Sequence, residues 1–315
     1  MLSGFGKCHH FFPGVYNSRG QSKVGADYRQ IFEMILPDGT KITRIDQPPY
    51  EAEERYLMEV MFDGTGFSGW QCQDNGRTVQ EEVQKLLSKI YADLPIKVSG
   101  SSRTDAGVHA IGMAASFAAP LRPAIEREKL RLALNRMLPP DIRIRKIRAV
   151  PWDFSPRFNA VGKAYVYVLN LSEENPFSSN YSWQLRKYPD LDAMREAAAY
   201  LTGTHDFSSF VVDRSKIDEA VRTIFRIEFE RFGNYLCISY VGNSFLYKMI
   251  RCLTGLLVEI GLGDLGPHDA KAILNARDRK CAPQTAPPHG LFLMKVFFDE
   301  EEIQKWQLRR VPFQM

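Results

Sequence analysis

In the segment Ser101-Ser102-Arg103-Thr104-Asp105-Ala106-Gly107-Val108-His109 an acid follows an arginine by two residues. In extended chain, residues i and i+2 share a face, so Arg103 can lie beside Asp105, keep its carboxylate ionised and fix its direction. Ala106-Gly107 allows a tight turn and leaves little bulk beside the carboxylate. These features describe an accessible anionic nucleophile. They equally describe an arginine–aspartate pair that braces a loop. Arg251 lies in a helical run among Met249, Leu253 and Leu256, an unfavourable place for an unpaired charge. Its plain reading is a salt bridge at the helix end. Arg77, Arg157 and Lys163 are candidates for phosphate contacts, or are solvated surface charges. His109 and His205 read as structural.

A second motif is a decoy. Gly64-Thr65-Gly66-Phe67-Ser68-Gly69 spells the glycine fingerprint of a dinucleotide site, but the helix should open at those glycines with its N-terminus toward a pyrophosphate. Here Trp70-Gln71 follows, and the helical pattern begins only after Arg77. The acidic residue expected at the end of a second strand is also missing.

The elements that must place these residues follow from periodicity. Arg55 to Phe62 alternates as a strand, with Tyr56, Met58, Val60 and Phe62 on one face. Thr78 is placed to cap a helix, with Glu81 completing a capping box and Val79, Val83, Leu86, Leu87 and Ile90 as the apolar stripe. Ile96 and Val98 mark a short strand, Met113 to Phe117 another, and Ile125 to Met137 a helix closed by Pro139-Pro140. Ile142, Ile144 and Ile147 suggest a strand. Beyond Pro151 come a strand over 163–171, a helix over 191–201 and a hairpin turning at Gly233-Asn234. A long helix capped by Ser244 and carrying Phe245, a Pro-rich crossing loop over 280–290 and a last strand over 291–298 follow. The fold class is α+β: residues 55–150 form one half with the Asp105 loop and 151–298 a second. Residues 1–54 form a poorly ordered or loosely docked extension and 299–315 a tail.

Composition sets bounds. The chain has 315 residues, 44% apolar and 25% charged, with a formal charge of +4, as expected of an ordinary globular protein that is compatible with a polyanion partner without demanding one. Its five cysteines are dispersed and odd in number, which points to reduced thiols and a cytoplasmic location. Cys8-His9-His10 lacks a second ligand pair at zinc spacing, so no metal is expected. No apolar run is long enough to span a membrane. Before Asp27 there is no acidic residue, a composition near that of a transit peptide, but without its amphipathic period and with few arginines.

Arg-Thr-Asp-Ala-Gly-Val-His, residues 103–109, resembles the signature of the tRNA pseudouridine synthase A family, and further motifs follow in that family's order. They are Phe62-Asp63-Gly64, Gly69-Trp70-Gln71, Thr78-Val79-Gln80, Arg157-Phe158, Lys163-Ala164-Tyr165-Val166-Tyr167, Leu201 to Phe207, Asn243 to Arg251 and Gly290 to Leu293. The likeness runs from Arg55 to Phe298. One departure is Ser102, where the family usually has Gly. The resemblance implies two ferredoxin-like or RNA-recognition-like halves, with Asp105 in a central cleft. It also implies a homodimer acting on transfer RNA at uridines 38, 39 and 40 of the anticodon stem-loop. Asp105 would be the nucleophile, Arg103 its partner, Tyr165 the aromatic against the target base, Arg251 a cation in the site and Leu293 part of an apolar floor. The isomerisation breaks a glycosidic bond and rejoins the same base through carbon, so it calls for no cofactor. The sequence leaves open whether Asp105 attacks ribose or base. Two alternatives remain: the same chemistry on another RNA, and a non-catalytic RNA-binding protein on the same scaffold. A glycosidase would need a second carboxylate flanking the bond, and the segment 103–109 around Asp105 holds none.

Overall fold

The computed structural model describes residues 48–212 and 219–314, and the backbone of 33–35 and 41–43. Two compact units divide the chain at Pro49/Tyr50. In the first, β1 (Glu33–Ile35) pairs antiparallel with β2 (Lys41–Thr43). Residues 52–54 of the expected extension belong to a strand of the second unit, and the residues before 48 that lie outside these two strands, including Cys8-His9-His10, lie outside the described residues.

The second unit is built on one ten-stranded sheet. Its members are β3 (Ala52–Phe62), β4 (Ser99–Gly100), β5 (His109–Pro120), β6 (Ile142–Val150), β7 (Gly162–Asn170), β8 (Trp183–Gln184), β9 (Gly203–Asp206), β10 (Val221–Phe232), β11 (Tyr235–Gly242) and β12 (Leu291–Phe297). The order is β6-β3-β5-β12-β7-β11-β10-β9, with β4 on β5 and β8 on β7. The α+β class therefore holds. The two expected halves share a continuous sheet, because the last strand inserts between β5, to which it is parallel, and β7, to which it is antiparallel.

Among the described residues, six helices accompany the sheet: α1 (Val79–Ile90), α2 (Arg127–Met137), α3 (Leu191–Leu201), α4 (Met249–Leu262), α5 (Pro267–Ala276) and α6 (Glu300–Lys305). One face of β7 presents Tyr165, Tyr167 and Leu169 to the main core, which includes Leu253 and Leu256 of α4. The opposite face presents Ala164, Val166 and Val168 to a second cluster with Ile303, Leu308 and Val311.

Several local expectations are corrected. Thr78 stands at the N-cap of α1 but makes no side-chain capping bond, and Glu81 pairs with Lys85 instead. Ile96 and Val98 are buried without forming a strand, since Gln80 Nε2 donates to the Val98 carbonyl (2.6 Å) and the Val98 N–H donates to Gln84 Oε1 (2.9 Å). Side chains of α1 thus supply what a neighbouring strand would supply. Ser244 does not cap α4; the helix starts five residues later, behind Lys248 in the left-handed region (φ 59°). Asp190 does cap α3, accepting from the N–H groups of Asp192 and Ala193. Residues 299–314 are a packed segment: Phe313 lies against Tyr181, Tyr235 and Phe292 on the back of the sheet.

Phe313→Ala should therefore cost about 2 kcal/mol, read as a fall in Tm of several degrees; an unchanged Tm would show that the C-terminal segment contributes no packing.

Candidate active site

Asp105 lies in the loop from β4 to β5, and the Gly-rich loop after β3 cradles it. The Trp70 N–H donates to the Thr104 carbonyl (3.3 Å), and the Gly107 N–H to the Phe67 carbonyl (3.4 Å). Gly69 has φ +94°, and a Cβ there would collide with the Thr104 carbonyl; one at Gly64 would collide with the Val108 carbonyl. The glycines that spell a dinucleotide fingerprint therefore serve the close approach of two backbones. His109, 1% exposed, fixes the exit of the loop. Its Nε2 faces the carbonyls of Asn180 (3.0 Å) and His289 (3.1 Å), while Nδ1 lies 3.0 Å from the Gly64 nitrogen and 3.1 Å from Asp63 Oδ1. It stacks on Phe292, so the structural reading of His109 holds.

The ion partner of Asp105 is Arg251, not Arg103. Arg251 Nη1 donates to Asp105 Oδ2 at 2.6 Å, with the two side chains only 12% and 13% exposed. Arg103 is exposed and makes no ion pair among the described residues. The physical reason is reach: Arg251, in the first turn of α4, enters from the buried side, with Nε bonded to the Ala286 carbonyl (2.8 Å). The Ala286 N–H returns a bond to the Arg251 carbonyl (3.0 Å), so the Pro-rich crossing loop holds the arginine's backbone and side chain together.

Tyr165 and Leu293 complete the group. They pair across β7 and β12, and Leu293 is fully buried between Tyr165 and Ala110 of β5. Burial pushes the Tyr165 phenol up to about 12; the Ser102 hydroxyl opposes that rise and the Asp105 charge adds to it. Ser102, the departure from the usual Gly, thus stands beside the phenol. Phe245 packs edge-on against Tyr165 with centroids 5.4 Å apart, a contact the expected helix cap at Ser244 had hidden.

The remaining cations separate. Arg77 is ion-paired: it bonds both oxygens of Asp141 (2.6 and 3.2 Å) and Glu82 (2.9 Å), with its guanidinium over Phe67. It ties the Gly-rich loop to α1 and to the turn before β6. Arg157 is exposed beside Phe158, and Lys163 lies on β7 two residues before Tyr165. Among the described residues no cluster of His, Cys, Asp or Glu could hold a metal ion, and no helix is long and apolar enough to cross a membrane.

An acid on a glycine-cradled loop, a buried arginine on its carboxylate and a tyrosine–leucine wall agree with what comparison finds. A sequence model described as tRNA pseudouridine synthase matches residues 58–159 and 197–299, which places the chain in the pseudouridine synthase class. More narrowly, it belongs to the tRNA pseudouridine synthase family. A tRNA pseudouridine synthase A of Exiguobacterium sibiricum is 42% identical over 79% of this chain and 98% of its own length. Proteins of the same name from Bacillus pumilus and Thermosipho melanesiensis are also 42% identical, over 76% and 78% of this chain and 97% and 100% of their own lengths. Among solved structures, a chain of a Cbf5–Nop10–Gar1 complex aligns with 78% of this chain and 60% of its own at a TM-score of 0.29 and 14% identity.

Gly69→Ala should cost about 3 kcal/mol from backbone strain and the collision with Thr104. Denaturant unfolding checks it, and a loss below about 0.5 kcal/mol would mean the loop can move aside at little cost.

Proposed function

We propose that this chain isomerises uridine to pseudouridine at positions 38, 39 and 40 of the anticodon stem-loop of transfer RNA, as a cytoplasmic homodimer, with Asp105 as the nucleophile. One juxtaposition carries the reading. Arg251 holds Oδ2 of Asp105 in a mostly buried ion pair, while Oδ1 has no hydrogen-bond partner among the described residues. A carboxylate ion-paired through one oxygen and unengaged at the other is suited to form and release an ester-like adduct.

The atoms balance within one nucleotide. The bond from the ribose carbon to N1 breaks, the detached uracil turns, and the same carbon bonds to C5. C5 gives up its proton and N1 gains one. The Tyr165 phenol, held neutral well above ordinary pH, is available as a donor during that exchange. Leu293 backs the wall behind it. Arg103, exposed and next to the nucleophile, is placed to meet the RNA. Free Cys72, Cys237, Cys252 and Cys281 are consistent with a reducing compartment.

The test is pseudouridine mapping on an anticodon stem-loop tRNA incubated with wild type, Asp105→Ala and Arg251→Met, with no added cofactor. Wild type should convert uridines 38 to 40, Asp105→Ala should convert none, and Arg251→Met should lose at least about 100-fold in rate. Conversion by Asp105→Ala would remove it as the nucleophile. Inactivity of wild type on tRNA but activity on total RNA would reassign the substrate. Sedimentation at the monomer mass would exclude the dimer.

A further inference from the structure

Lys163 is a cation on the strand that carries Tyr165. It is only partly exposed, and among the described residues it makes no ion pair and no hydrogen bond. The strand register fixes its direction. In the antiparallel pair β7–β11, Lys163 stands opposite Gly242 and Tyr165 opposite Tyr240. A Cβ on Gly242 would meet the Phe245 ring at 3.0 Å, and that ring packs on Tyr165. The preceding Gly162 faces Ile303 on the other side of the sheet. Lys163 therefore shares the face of Tyr165 and Phe245, about 6.7 Å along the strand from Tyr165.

Two more cations converge there. Gly242 pairs onward with Ile224 of β10, and Arg222 lies two residues earlier on that strand. Arg222 Nη1 donates to the carbonyls of Glu219 and Val221, while its Nε is buried with no acceptor. Arg157 comes from the loop before β7. Burial, then repulsion from Arg157 and Arg222, pulls the Lys163 ammonium down to about 8. The charges acting on Lys163 are thus both positive. Among the described residues, the carboxylate that acts on Arg222 is Glu219. Three cations with a buried, unused N–H donor among them make a costly arrangement for the free protein, unless an anion completes it.

We infer that Lys163, Arg222 and Arg157 form a built phosphate site that holds the backbone phosphate next to the uridine placed at Tyr165. The inference rests on the RNA-modifying reading above and adds Arg222 and the location of one phosphate. Lys163 supplies a point charge at the centre, Arg222 its unused Nε–H, and Arg157 an exposed cation at the mouth.

The experiment is a chemical double-mutant cycle on the full chain. Each phosphate around the target uridine of a stem-loop is replaced in turn by a neutral methylphosphonate, and wild type, Lys163→Met and Arg222→Met are assayed. One substitution should raise KM about tenfold for wild type and leave Lys163→Met unaffected, with the two losses non-additive. Lys163→Met should also lower the salt slope of binding by about 1. Its Tm without RNA should rise, because an uncompensated charge has been removed. A merely structural lysine would give the reverse: a lower Tm, an unchanged salt slope and additive losses at every phosphate. Those results, or additivity also for Arg222→Met, would overturn the site. Should wild type prove inactive on every RNA, inorganic phosphate still separates the two ideas. It should raise the Tm of wild type and not that of Lys163→Met, and equal shifts would sink the phosphate site independently of the reaction.

Discussion

The Asp105 carboxylate and the Arg251 guanidinium meet at 2.6 Å although 146 residues of chain separate them. A mostly buried pair of this kind tolerates no slack, since losing one partner strands the other charge at a cost of about 3–5 kcal/mol. Each end must therefore be fixed to a scaffold that does not move relative to the other. The acid is fixed by the Gly-rich loop and by His109, and the arginine by α4 and the loop that crosses at Ala286. Both scaffolds rest on one sheet. The ion pair and the continuity of that sheet are the same requirement seen at two scales.

Much of the frame was legible in the sequence. The apolar stripe of α1, the alternation in β3, the Gly-Asn hairpin between β10 and β11 and the ends of α3 all follow from period and turn chemistry, which act over a few residues. Elements with little periodic contrast were less legible. β5 runs from His109 to Pro120 with every residue buried, so its two faces show no alternation, and only Met113 to Phe117 stood out. α5 went unseen, although Pro267 in its first turn and the bond from the Gly266 N–H to Asp269 are a start signal. α6 went unseen because it is short and acidic, and its packing against the back of the sheet depends on residues far upstream.

At the site, residue types were readable and partnerships were not. Asp105, Tyr165, Arg251 and Leu293 were picked out by motif, and the fold brings them together. Sequence spacing, however, assigned the wrong arginine to Asp105, because proximity along the chain favoured Arg103 while the third dimension supplied Arg251. The partners of Arg77 were hidden for the same reason: its acids, Asp141 and Glu82, lie on two different elements. Arg222 carried no local signal at all, since its meaning arises only from the register that carries Lys163 across Gly242 to β10.

The position of β12 bears on how the protein is made. This strand comes last along the sheet-forming chain yet lies at the centre of the sheet, joined to β5 through His109 and Ala110 and to β7 through Tyr167 and Tyr165. As the chain leaves the ribosome, β3, β5 and β6 can assemble early, but that flank of β5 has only two-residue β4 to cover it until residues 291–297 emerge. A nascent three-stranded sheet with a bare, apolar inner edge is a template for misplaced strands. The quality of the finished enzyme then depends on keeping that edge vacant for the last piece, a demand on timing and on chaperones rather than on the native contacts.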